Sequence, residues 1–219
     1  MINFVLFDFD GTITKLDTTK ILISELLKNR PTKVFFVTYL MLMMFFSKRN
    51  NMESFQRYKN KIIGFLVSGL SVYKLDKIMG GFKIRVKSMF RQSLLEIITN
   101  HIKNNNKVLV VTASPTFAVE ACLEGLSLEV IGVDFEIIDD HYTGNYNNLC
   151  YGEKKVQRIM ELSEAYNEDF CFTEAWSDCF SDKGMIDLAE KKYWIGNENM
   201  KKRVNKCRPN DHFLEESHL

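Results

Sequence analysis

Asn3-Phe4-Val5-Leu6-Phe7-Asp8-Phe9-Asp10-Gly11-Thr12 is the stretch on which the reading of this chain turns. Phe4 to Phe7 form a short apolar run with the length and composition of one buried strand. The run stops at two aspartates one residue apart, followed by Gly-Thr. An ionised carboxylate is costly to take out of water unless something pairs with it. In an extended strand Asp8 and Asp10 fall on the same side, because side chains repeat with period two. Two carboxylates held there call for a cation, and hard oxygen donors suit Mg2+. Where the backbone turns, one aspartate can offer its carboxylate and the other its carbonyl. Gly11 lets the chain turn tightly and bring backbone N–H groups close to an anion.

Downstream of this turn the pattern becomes helical. Asp17-Thr18-Thr19 reads as a helix start, followed by Ile21, Leu22, Leu26 and Leu27 until Pro31 interrupts. Residues 32–46, 53–68 and 72–99 also read as helices, with Gly69-Leu70-Ser71 as a divider and Gly80-Gly81 as an expected break. Strand patterns return at 107–112, preceded by a helical pattern over 87–103 and followed by Thr112-Ala113-Ser114-Pro115 and a helix over 116–126. A strand at 129–133, a hairpin at 135–146 and a helix at 152–165 come next. A strand over 169–176 ends in Ser177-Asp178, and a helix at 182–190 and a strand at 192–196 complete the pattern. The tail from Lys201 onward reads as peripheral. Strands alternating with helices predict an α/β fold with a parallel sheet flanked by helices. In such sheets the site lies outside the carboxyl ends of the strands. The strands ending at Asp8, Thr112 and Ser177 would meet there.

The bulk properties narrow the function. A chain of 219 residues can build one good-sized core or a core with a small second domain. A net charge of +1 gives no electrostatic footprint for nucleic acid. Five cysteines without metal-site or framework spacing fit a reducing cytoplasm. The N-terminus enters a strand with no basic leader, so no secretory peptide is expected. Residues 34–46 are apolar apart from Thr38 and the hydroxyl of Tyr39, and carry no charge. As a helix they would rise about 20 Å, short of the roughly 30 Å of hydrocarbon in a bilayer. A buried or partner-facing helix is therefore preferred to membrane contact through 34–46.

Four motifs stand in one order: Asp8-Phe9-Asp10-Gly11-Thr12, the strand ending in Thr112, Gly152-Glu153-Lys154-Lys155, and Ser177-Asp178-Cys179-Phe180-Ser181-Asp182. This set resembles the haloacid dehalogenase superfamily of Mg2+-dependent phosphohydrolases, in its phosphoserine-phosphatase-like branch. The resemblance covers residues 1–15 and 86–200 and is weaker between them. It implies a Rossmann-like core of residues 1–15 and 86–219 and an inserted helical cap of residues 16–85, of the C1 type.

The resemblance also implies roles. Asp8 would be the nucleophile that forms an aspartyl-phosphate, and Asp10 the acid and base. Mg2+ would be held by Asp8, Asp178 and the Asp10 carbonyl. Thr112, Gly11, Ala113 and Ser114 would bind phosphate. Lys155 would neutralise charge and Asp182 would support it. Lys154 and Lys155 are adjacent, and the Gly-x-x-Lys spacing selects Lys155. Asp182 can also cap the following helix, and Asp17 can serve either as a substrate contact or as a plain N-cap. Arg57 and Lys61 are candidates for the branch's cap arginine, without a firm match. The four histidines stand in no catalytic spacing.

The activity implied is hydrolysis of a small phosphorylated substrate by a monomer or homodimer. A phosphotransferase on the same site and a non-catalytic partner- or membrane-binding module are the alternatives.

Overall fold

The structure is a computed structural model that describes residues 1–50 and 52–216, the side chains of residues 45 and 47–50 excepted. Strand β1, Ile2–Phe7, is the middle of a seven-stranded sheet. Phe4, Val5, Leu6 and Phe7 are all fully buried, as expected of a strand covered on both faces. On one side of β1 lie β2 (Lys107–Pro115), β3 (Glu129–Ile138) and β4 (His141–Asn147). On the other lie β5 (Phe170–Ser177), β6 (Lys191–Gly196) and β7 (His212–Glu215). All neighbours are parallel except β3 and β4, which form a hairpin. Asp139 and Asp140 both take positive φ at its two-residue turn, the conformation such a tight loop demands.

After β1 come, in succession, α1 (Thr19–Lys28), α2 (Val34–Asn50), α3 (Met52–Val67) and α4 (Val72–Lys87). Helices α5 (Gln92–Lys103), α6 (Thr116–Cys122), α7 (Glu153–Glu164), α8 (Lys183–Asp187) and α9 (Glu198–Cys207) connect the strands.

Three expectations need correction. Gly80-Gly81 does not break a helix, because α4 runs through both residues. Leu75, Ile78, Met79, Phe82 and Val86 form an unbroken buried stripe on it. A Cβ at Gly81 would stand 3.3 Å from Glu25 Oε2 of α1, so the missing side chain lets two helices approach closely. The strand at 129–133 and the first arm of the hairpin are one element, β3, paired on both edges. The tail is not peripheral, since it supplies α9 and the edge strand β7. Val204 and the half-buried Phe213 and Leu214 pack onto the core, and Trp194 Nε1 donates to Asp211 Oδ2 at 2.8 Å.

The inserted helices are tied to the hairpin by main-chain contacts. Gly69 N donates to Tyr142 O, Tyr142 N to Leu70 O, and Val72 N to Asp140 O, all at 2.7–3.0 Å. Beside them, a Cβ added at Gly64 of α3 would stand 2.2 Å from Gly144 O. Gly→Ala inside a helix ordinarily stabilises by about 1 kcal/mol. Here Gly64→Ala is expected to reverse that sign and cost about 1–3 kcal/mol through the backbone clash. Urea denaturation of the variant reads the difference, and a gain in stability would contradict this packing.

Candidate active site

The site forms where β1 ends. Asp8 N donates to Trp176 O at 2.9 Å, which carries the sheet's pairing up to the first aspartate. The chain then leaves the sheet in a wide turn over Phe9–Ile13, with Gly11 at φ +85°. Glycine is needed there twice over. The left-handed backbone disfavours a side chain, and a Cβ would lie 2.1 Å from Asp178 Oδ2. Thr12, fully buried, links the two motifs: its Oγ1 accepts from Asp178 N at 3.0 Å and lies 3.3 Å from Asp178 Oδ1.

Lys155 sits in the first turn of α7 and is buried. Its Nζ donates to Asp8 Oδ1 at 2.7 Å and to Asp182 Oδ2 at 2.9 Å. Lys154 points outward, half exposed, with Glu53 at 3.9 Å. Asp182 Oδ2 also accepts from Ser177 Oγ at 2.8 Å. Asp182 precedes α8, yet its side chain makes no capping bond and is committed to Lys155 and Ser177.

Asp10 is held from two directions. Its Oδ1 accepts from Thr18 N at 2.7 Å and Thr18 Oγ1 at 2.8 Å, and its Oδ2 accepts from Ser114 Oγ at 2.5 Å. Thr112 and Ser114 are buried at the end of β2, and Ser114 N donates to Thr112 Oγ1 at 3.0 Å. Asp17 is exposed and accepts from Thr19 N at 2.7 Å, which is a capping contact, but its carboxylate also faces the same cavity.

That cavity measures about 490 Å3. It brings together Asp8, Asp10, Gly11, Asp17, Thr112, Ala113, Lys155, Asp178 and Asp182, every expected site residue except Ser114, which reaches it through Asp10. Arg57 and Lys61 do not line it. Arg57 is exposed and pairs with Glu53 at 2.7 Å, while Lys61 is exposed, its Nζ 5.5 Å from the ring centroid of Tyr58. The cation that α3 turns inward is Lys59, only 4% exposed, with Gln56 one turn earlier. Gln56 Oε1 and both side-chain polar atoms of Asn60 are buried without a hydrogen-bond partner. The signal for these residues was present in the spacing. Positions 56, 59 and 60 continue the buried stripe of Ile63, Leu66 and Val67, so polar side chains occupy an apolar face.

The electrostatics follow from crowding carboxylates in a dry place. Burial pushes Asp8 well above the usual carboxylate range. Lys155 opposes this, while Asp182 and Asp178 add to it. Burial, then Asp182, pushes Asp178 up to about 6. Asp10 is raised by burial and by Asp17, against Lys59 and the bonds from Ser114 and Thr18. Burial works against charge on Lys155, but Asp182 and Asp8 outweigh it and hold the ammonium firmly protonated. Burial lowers Lys59, against the pull of Asp17, Asp10 and Asp8.

The five carboxylates of Asp8, Asp10, Asp17, Asp178 and Asp182 line the cavity with three ammonium groups, Lys15, Lys59 and Lys155, a deficit of two positive charges when all are ionised. Among the described residues no three His, Cys, Asp or Glu side chains converge as a ready metal set. Two carboxylates with a main-chain carbonyl and room for water suit a hard divalent ion of the Mg2+ kind better than zinc.

The chain matches the model of the haloacid dehalogenase-like hydrolases over residues 5–185. It is 28% identical over 196 residues to Protein CicA of Caulobacter vibrioides, covering 86% of this chain and 83% of that protein. Among solved structures, a protein of unknown function from Bordetella pertussis Tohama I superposes with a TM-score of 0.80 at 16% identity, covering 98% of each chain. A phosphoserine phosphatase captured as a phospho-aspartyl intermediate analogue superposes with a TM-score of 0.55 at 17% identity, covering 92% of this chain and 90% of that one. The chain belongs to the haloacid dehalogenase-like hydrolase family. Within it, this is a hydrolase on a phosphoserine-phosphatase-like fold.

Proposed function

We propose that this hydrolase is a Mg2+-dependent phosphatase that cleaves a small organic phosphate monoester through an aspartyl-phosphate on Asp8. The observation that supports it most is the position of Asp8, at the mouth of β1 against Lys155 and Asp178 and beside Asp10. A carboxylate oxygen of Asp8 attacks phosphorus as the bond to the leaving oxygen breaks. Asp10, raised by burial and fixed by Thr18 and Ser114, gives its proton to that oxygen. Water then attacks the phosphorus, Asp10 takes back a proton, and the bond to Asp8 breaks to release phosphate. Thr112 and the amides of Gly11 and Ala113-Ser114 receive the phosphate oxygens, and Lys155 balances the charge between phosphate and nucleophile. The carboxylates of Asp8 and Asp178 and the carbonyl of Asp10 would hold Mg2+, which supplies charge neutralisation for the transferring group.

Residues 16–85, with α1 to α4, act in this reading as a cap over a core of residues 1–15 and 86–219. Lys59 and Gln56 reach from α3 toward the part of the substrate beyond its phosphate. A reducing cytoplasm fits the five cysteines, which are all free thiols.

A panel of phosphorylated metabolites with and without Mg2+ tests the reading. It expects Mg2+-dependent phosphate release from at least one small monoester, and no release from any would count against it. Mg2+ is also expected to raise the thermal midpoint, more at pH 8 than at pH 5.5. The cation needs ionised carboxylates, and below about pH 6 a proton on Asp178 competes for the place. The gain should shrink sharply in Asp178→Asn, which differential scanning fluorimetry reads directly.

A further inference from the structure

Helix α2 has a face that an ordinary surface helix does not have. Val37 and Leu40 turn inward and are buried, at 1% and 8% exposure. On the opposite side, spaced by four and three residues, stand Phe35, Tyr39 and Leu42, exposed by 86%, 55% and 56%. A helix packed on one side only should carry charged groups on the other. Between Val34 and Phe46 the helix has no charged residue on either side.

The charges lie at its ends, and they are all of one sign. From Leu26 to Met52 the sequence contains Lys28, Arg30, Lys33, Lys48 and Arg49 and no aspartate or glutamate. Beside the start of α2 an apolar groove of about 530 Å3 runs along α1, lined by Leu27, Val34 and Met41, with Lys20 and Lys28 at its rim. Arg30 and Lys33 donate to main-chain carbonyls in the last turn of α3, and Lys33 Nζ also lies 4.3 Å from the centroid of the Phe65 ring. Lys28 is shared with Glu25.

We infer that the Phe35–Tyr39–Leu42 face of α2 docks on the surface of an anionic lipid bilayer. Exposed aromatic and aliphatic side chains between cationic ends are what a helix lying in a membrane interface presents, the chains entering the acyl boundary and the cations meeting lipid phosphates. At 17 residues the helix rises about 25 Å, and no described helix is long and apolar enough to cross a membrane. It lies on the bilayer and does not span it. A second copy of the chain fits the face less well. Twofold pairing would set the same cationic ends against each other with no acidic residue of the segment between them.

Co-sedimentation of the full chain with vesicles tests this. Wild type should bind vesicles of equal phosphatidylglycerol and phosphatidylcholine at least about tenfold more tightly than pure phosphatidylcholine, and should weaken as salt rises. Phe35→Ser/Tyr39→Ser/Leu42→Ser should lose binding by about tenfold or more while keeping its circular dichroism spectrum and its turnover of a small soluble monoester. Lys48→Gln/Arg49→Gln should weaken binding to anionic vesicles and leave the weak binding to neutral ones unchanged. Three results would overturn the inference. They are no binding to either vesicle, equal binding to both, or a wild-type dimer in sedimentation velocity that the triple variant abolishes, which would give the face to a second copy. None of these readouts depends on which phosphate is the substrate.

Discussion

Asp8→Asn is expected to abolish phosphate release, with a loss of about 10^4-fold or more in kcat, while the protein stays folded. The amide keeps the shape of the carboxylate and can still accept from Lys155 Nζ, now 2.7 Å from Asp8 Oδ1. What it loses is the negative oxygen that attacks phosphorus in the proposed mechanism. The stability readout makes the result specific. Asp8 is held well above its ordinary range by burial and by Asp182 and Asp178, so keeping it ionised at neutral pH costs folding energy. The sign follows: above the unfolded carboxylate pKa the native aspartate is a burden, and an uncharged amide removes it. Without Mg2+ at pH 8 the variant should unfold at the same temperature as wild type or higher, and Mg2+ should stabilise it less. Stopped-assay kinetics and thermal melts on one preparation give both answers. Undiminished turnover would end the aspartyl-phosphate mechanism.

Lys155→Met carries the second large effect, and here stability and activity fall together. The side chain is almost fully buried between Asp8 and Asp182. Methionine of similar length leaves the carboxylates of Asp8, Asp182 and Asp178 with no cation between them. Breaking a buried pair by removing one partner costs about 3–5 kcal/mol. Urea unfolding at pH 7.5 without Mg2+ should show a loss of that size, with no measurable phosphatase activity. The neighbouring Lys154→Met serves as the control. Lys154 is half exposed and 3.9 Å from Glu53, a surface contact of little energy, so stability should stay within about 0.5 kcal/mol and activity should be retained. If the two variants behaved alike, the roles drawn for this lysine pair would fail.

The sequence carried the part of the site that is tied to strand ends. Asp8, Thr112 and Asp178 follow runs of apolar residues whose burial fixes where the strands stop, so their convergence could be read from the chain. The Gly-x-x-Lys spacing favoured Lys155 and left Lys154 open as the alternative. For Lys59 the spacing gave only its place on the buried stripe of α3, not that this stripe meets the site. Its burial depends on how α3 is rotated, which α2, the hairpin and Gly64 decide together. Arg57 and Lys61 flank it with the same charge, so composition pointed to the neighbourhood and not to the residue. Gly80-Gly81 misled because propensity sees two helix-weakening residues, while the fold needs close approach to Glu25. The tail from Lys201 was read as loose because it holds few apolar residues, among them Val204, Phe213 and Leu214, and the rest of its packing is supplied by Trp194 and β6.

The three main-chain bonds between residues 69–72 and the hairpin also bear on how a molecule gets in and out. Tilting α1 to α4 away from the sheet as one block would break all three at once and pull Gly64 off Gly144. The cheaper motion keeps that edge pinned and swings the opposite one, the way a door turns on its jamb. On the side of α1, Thr18 N and Oγ1 both donate to Asp10 Oδ1 and couple the start of that helix to the site. In the mechanism proposed above, a substrate that displaced these two bonds would free Asp10 in the same movement, so passage and protonation would share one pair of hydrogen bonds.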